Sequence, residues 1–86
     1  MKITKSSKAG TLESNDILIM VSPNDCGNSL ELDSIVKLQF GDHIEKLILN
    51  KLKEMQVENV FIKAQDKGAL DYTIISRVET AIKRAI

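Results

Sequence analysis

Val36, Phe40, Ile44, Leu47, Ile48, Leu52 and Met55 recur at steps of three and four, a spacing that sets them on one face of a helix. Lys37, Gln39, Asp42, Glu45, Lys46, Asn50, Lys53 and Glu54 fill most of the opposite side. A helix with one apolar stripe must bury it, and a chain of 86 residues has only one modest core in which to do so. Neighbouring segments supply the other layer. Ile17-Leu18-Ile19-Met20-Val21 is an apolar run with β-branched residues at alternate positions, and Leu30-Glu31-Leu32-Asp33 alternates apolar with polar. Both read as strands. The turn formers of 22–29 between them predict a reversal and a β-hairpin. Val57, Val60, Phe61, Ile62 and Ala64 make a third strand. It ends at Asp66-Lys67-Gly68, a turn in which Gly68 is able to take positive φ.

Residues 69–76 admit two readings. Leu70, Tyr72 and Ile74 alternate as in a strand, whereas Ile74, Ile75, Val78, Ala81, Ile82 and Ala85 follow helical spacing to the C-terminus. We expect a short strand near 69–74 and a helix from about Ser76. Asp33 or Ser34 is expected to cap the first helix. Gly41 within that helix costs about 1 kcal/mol relative to Ala. The first fifteen residues are small, polar and charged, and read as an exposed, mobile lead-in. The expected fold is α+β, one domain over residues 1–86 with a flexible N-terminal arm (about 1–15). It is a two-layer sandwich: a small antiparallel sheet of about four strands with two amphipathic helices on one face.

Composition removes whole classes of function. Twelve basic residues balance twelve acidic ones, so the concentrated positive face that nucleic acid requires is not expected, nor a polybasic membrane anchor. No apolar run approaches the roughly 18 to 20 residues of a membrane span. The basic start, Met1 to Lys8, has no apolar stretch behind it, and a single cysteine fits a reducing cytoplasm. One His, one Cys, no Trp, two Phe and one Tyr leave little from which to build an autonomous catalytic pocket. His43 reads as solvent-facing or capping, without partners spaced for a metal. Cys26 reads as an incidental thiol. Lys67-Gly68 lies in no phosphate-binding loop pattern. The expectation is a non-catalytic chain.

Two serines offer a different chemistry, covalent attachment of a group by another enzyme. Ser34, in Leu32-Asp33-Ser34-Ile35, resembles the Asp-Ser-Leu attachment motif of phosphopantetheine carriers. Those carriers are acidic four-helix bundles, and Asp-Ser before a helix is also a routine cap. Ser14 lies in Ala9-Gly10-Thr11-Leu12-Glu13-Ser14-Asn15-Asp16. Spacing alone leaves that stretch a polar lead-in.

This stretch resembles the signature of the citrate lyase acyl carrier proteins, the γ chains of that complex. A second block, Asp66-Lys67-Gly68-Ala69-Leu70-Asp71 with Thr73-Ile74, Arg77-Val78-Glu79 and Arg84-Ala85, is similar to the C-terminal part of the same family. Phe40-Gly41 and the chain length agree. The resemblance implies that Ser14 carries 2′-(5″-phosphoribosyl)-3′-dephospho-coenzyme A through a phosphodiester. It further implies acetyl and citryl thioesters on that arm, exchanged by an α subunit (acyl transferase) and cleaved by a β subunit (citryl lyase), in a complex of citrate fermentation. A serine without a neighbouring base is a poor nucleophile, so a dedicated prosthetic-group transferase is expected as a further partner. Glu13 and Asp16 read either as recognition residues for that enzyme or as solvating charges. Lys67 reads as a contact for the arm's phosphates or a partner subunit, or, the reading we favour, as part of a structural turn. The acyl carrier subunit of malonate decarboxylase, and a non-catalytic interaction domain without a prosthetic group, remain the alternatives.

Overall fold

The computed structural model describes the whole chain, Met1–Ile86. Its elements are β1 (Ser7–Ala9), β2 (Ile17–Pro23), β3 (Ser29–Ser34), α1 (Lys37–Glu54), β4 (Val60–Asp66) and α2 (Asp71–Arg84). The four strands form one sheet in the order β1-β2-β4-β3, and both helices cover the same face. The fold is the expected α+β two-layer arrangement, with four strands and two helices.

The pairing departs from the expected antiparallel sheet. β2 runs antiparallel to β1 and β4, but β3 runs parallel to β4, so the sheet is mixed. The expected β2–β3 hairpin does not form, because β4 lies between the two strands. A parallel pair needs a long crossover, and the 18-residue α1 supplies it between β3 and β4. The turn formers after β2 tie this connection to the start of β4. Asn24 Nδ2 donates to the Gly27 carbonyl at 2.9 Å, the Gly27 N–H to Asn59 Oδ1 at 2.8 Å, and the Val60 N–H to Asn28 Oδ1 at 3.2 Å. Burial suits this order. Ile17, Ile19 and Val21 of β2 and Val60, Ile62 and Ala64 of β4 are buried on the helix side. The more polar β3, with Glu31 and Asp33 exposed, takes an edge.

Two boundaries also differ. α2 begins at Asp71, with no strand at 69–74. The apparent alternation there arose from Leu70 and Tyr72, which are 59% and 71% exposed and take no part in the core. Ile74, Val78, Ala81 and Ile82 set the real, helical period. α1 begins at Lys37 with no side-chain cap; the Ser34 hydroxyl bonds Asp66 and the N–H of Val36, just ahead of the helix. Ile44, Ile48 and Leu52 are its buried stripe, with Val36, Leu47 and Met55 partly buried, whereas Phe40 is 55% exposed.

The first fifteen residues, expected as a free lead-in, are built into the fold. β1 pairs with β2, Ile3 and Ala9 are buried, and the N–H groups of Thr4 and Lys5 donate to the Ala85 carbonyl at 2.8 and 3.2 Å. The Met1 ammonium donates to the Gln56 carbonyl at 2.8 Å. No local pattern announces this segment. Its strand partner β2 lies 10 to 14 residues on, and the contacts of Met1 and Thr4 reach 55 and 81 residues along the chain, so its order is set by tertiary pairing.

Candidate functional site

Ser14 sits in the connection between β1 and β2, where the chain leaves Ala9 and returns at Ile17. The neck of this loop closes tightly. Gly10 has φ of +97°, and a Cβ placed on it would lie 1.8 Å from the Ile17 carbonyl oxygen and 3.3 Å from Cδ of Arg77. Only glycine fits. Within the loop, Thr11 Oγ1 accepts from the Glu13 N–H at 3.2 Å and donates to Asp16 Oδ2 at 2.7 Å. The Asp16 N–H donates to the Glu13 carbonyl at 3.2 Å. Asn15 takes a φ of 66°, a left-handed conformation that asparagine tolerates better than most residues. The loop is a folded object, and Leu12, Glu13, Ser14 and Asn15 form its exposed tip.

Asp16 anchors that object to the rest of the molecule. Its carboxylate accepts from the Ile17 N–H at 2.7 Å, from Arg77 Nε and Nη2 at 3.1 Å each, and from the Thr11 hydroxyl. The two-pronged guanidinium contact fixes orientation as well as distance. Partial burial alone would raise the Asp16 pKa. The hydrogen bonds from Arg77, Thr11 and the Ile17 N–H, with the guanidinium charge, outweigh it and hold the carboxyl at about 2. A second anchor is main-chain: the Asn15 N–H donates to the Lys67 carbonyl at 2.8 Å, and the Lys67 N–H donates to the Asp16 carbonyl at 2.9 Å. The two blocks of the family resemblance, around Ser14 and around Lys67, therefore meet in space. Lys67 contributes here through its backbone.

Ser34 stands in a different setting. Its hydroxyl donates to Asp66 Oδ2 at 2.7 Å and accepts from the Val36 N–H at 3.1 Å. Asp66 is 1% exposed, and its other oxygen accepts from the Ala69 N–H at 2.9 Å. One buried carboxylate thus joins the end of β3 to the turn that enters α2. Ser34 is a brace in that junction.

The remaining candidates are spread out. His43 Nε2 lies 2.8 Å from Asp71 Oδ2, linking α1 to the first turn of α2 at an exposed position. Cys26 is exposed. No three His, Cys, Asp or Glu side chains are gathered as a metal ion would require, and no helix is long and apolar enough to cross a membrane. Sequence reasoning missed Arg77 and Asp66 as organising residues. Arg77 meets Asp16 across 61 positions, which no spacing rule reaches. Asp66 had a local signal, because it continues the inward alternation Val60, Ile62, Ala64 at the end of β4.

Comparison with known proteins identifies the family. The family model described as malonate decarboxylase delta subunit, an acyl carrier protein, matches residues 4–85. A citrate lyase acyl carrier protein of Halothermothrix orenii is 49% identical over 99% of this chain and 90% of its own length. Proteins of the same description from Streptococcus equi subsp. equi and Rhodopseudomonas palustris are 51% and 45% identical. They align with 99% and 100% of this chain and with 84% and 89% of their own lengths. Matches of this identity, running through both the Ser14 loop and the Lys67 turn, leave no segment of the fold outside the alignment: the chain belongs to the citrate lyase acyl carrier protein family.

Proposed function

We propose that this acyl carrier is the carrier subunit of citrate lyase, and that Ser14 bears 2′-(5″-phosphoribosyl)-3′-dephospho-coenzyme A through a phosphodiester. The supporting observation is the setting of Ser14, an exposed residue at the tip of a loop held by Asp16–Arg77 and by the Lys67 backbone. The residues present fit a bulky group, since the neighbours at 12, 13 and 15 are exposed as well and enclose nothing. When bound, the group supplies a terminal thiol that holds acetyl or citryl units as thioesters.

What the chain contributes is placement. The braced loop fixes where the arm begins, while the reach between the acyl transferase (α) and citryl lyase (β) subunits comes from the arm. A tether of this kind raises the local concentration of its cargo to the order of millimolar. No base is hydrogen-bonded to the Ser14 hydroxyl, and the Asp16 carboxylate two residues on is committed to Arg77 and Thr11. The attachment step therefore belongs to a separate prosthetic-group transferase. Exposed Glu13, beside Ser14, is the side chain such an enzyme would meet first.

Intact mass and peptide mapping of the protein, made alongside its modification enzymes, test the reading. The adduct is expected on the Ser14 peptide, absent from Ser14→Ala and retained in Ser34→Ala. An adduct on Ser34, or none when the enzymes modify a known carrier, would overturn it. The family model's description favours malonate decarboxylase as the second reading. Reconstitution of the modified chain with either set of partner subunits separates the two.

A further inference from the structure

The helices cover one face of the sheet and leave the other open. On that open face the register places Lys8, Met20, Lys63 and Glu31 in one row across β1, β2, β4 and β3. The neighbouring row carries Ser22, Phe61 and Ser29. Met20 and Phe61 are half-buried, while Lys8 and Lys63 are exposed. A shallow groove of about 460 Å³ runs between them, lined on this face by Lys8, Met20, Ser22, Phe61 and Lys63. The five ion pairs of the chain use other cations, so both lysines flank the apolar floor without a carboxylate partner.

We propose that this groove holds the adenine and diphosphate portion of the group on Ser14, laying the arm along the open sheet face between deliveries. The proposal rests on the Ser14 reading. Its chemistry is that of the groove. Met20 and Phe61 offer polarisable and aromatic surface to a base. Two ammonium groups on either side of Met20, neither of them in an ion pair, suit the negative charges of a diphosphate. The one nearby acid in the row, Glu31, lies beyond Lys63 at the β3 edge, away from β1. The positive pair therefore sits over β1, β2 and β4, and β1 and β2 are the strands that the Ser14 loop joins. From Asp16 to Met20 is four strand residues, roughly 14 Å, a span for the phosphodiester and the two riboses that stand between Ser14 and the diphosphate.

The test is titration of the full, unmodified chain with 3′-dephospho-coenzyme A, read from the Met20 methyl and Phe61 ring resonances. Both are expected to shift saturably, with millimolar affinity. In the double variant Lys8→Glu/Lys63→Glu the affinity should fall about tenfold or more, as charge-assisted contacts are lost. Unchanged Ile19 and Val78 methyl resonances in that variant would show that the fold is intact. In the chain loaded at Ser14, the same two resonances should be displaced without added ligand. Met20 and Phe61 unmoved up to about 10 mM ligand, or moved equally in the double variant, would overturn the groove. An unmodified Ser14 in the peptide map would instead overturn the attachment reading, while the free-ligand titration still decides the groove.

Discussion

Ser14 and Ser34 both sit beside an aspartate held by several hydrogen bonds, and the two aspartates do opposite things. Asp16 turns away from Ser14 and binds Arg77, Thr11 and the Ile17 N–H, so the loop is fastened while the serine projects from it. Asp66 turns toward Ser34 and takes its hydroxyl, so that serine is consumed by the junction between β3 and α2. In sequence, Asp33-Ser34 resembles the attachment motif of phosphopantetheine carriers, and the Ser14 stretch resembles the signature of the citrate lyase acyl carrier proteins. Availability of the hydroxyl is what separates them, and it is decided by residues 32 and more positions away.

The largest expected effect breaks the comparison at the neck of the Ser14 loop. Gly10→Ala forces a Cβ onto the Ile17 carbonyl at positive φ, which should cost about 3 kcal/mol or more and appear as a lowered urea midpoint. Asp66→Ala comes next. It leaves the Ser34 hydroxyl and the Ala69 N–H without their acceptor, at an expected cost of about 2–3 kcal/mol, and the freed Ser34 should still receive no adduct.

Arg77→Ala sharpens the comparison through pH. The Asp16 carboxyl is lowered from 3.8 to about 2, so it binds fewer protons in the folded chain than in the unfolded one. Its stabilisation is fully present above about pH 4 and is lost as pH falls toward 2, amounting to about 2 kcal/mol at most. Arg77 is 40% exposed, which screens part of that. The variant should lose about 1–2 kcal/mol at neutral pH. Its acid unfolding curve should be flatter between pH 4 and 2 than that of the native chain. Ser14 modification should slow while Ser34 remains untouched. The smallest effect belongs to His43→Ala. That residue's contact with Asp71 is exposed on both sides, and the urea midpoint should stay within experimental scatter.

Much of the architecture was legible because periodicity reports burial. The 3.6-residue stripes of α1 and α2 and the alternation of β2 and β4 each correspond to buried side chains. Residues 69–74 were misread where exposed Leu70 and Tyr72 imitated alternation, since composition does not distinguish apolar residues that are covered from those that are not. β1 was invisible for the complementary reason: Ala9 is its one buried residue, and its order comes from β2 and α2, the latter through the Ser7 hydroxyl bonded to the Ala81 carbonyl. Of the site, the Gly10-to-Asp16 stretch was legible as a motif, and the clamp that supports it was not.

The sequence by itself determined α1, most of α2 and the two central strands, because each is written in the period of neighbouring residues, and it marked the Gly10-to-Asp16 stretch through a family resemblance. Strand order, the parallel β3–β4 pair, the anchoring of the N-terminal segment and the different fates of Ser14 and Ser34 were decided only in three dimensions. They rest on pairings such as Asp16 with Arg77, Ser34 with Asp66 and Thr4 with Ala85. A hydrogen bond between residues far apart in the chain leaves no period behind it, and forms only once the core has brought its two ends together.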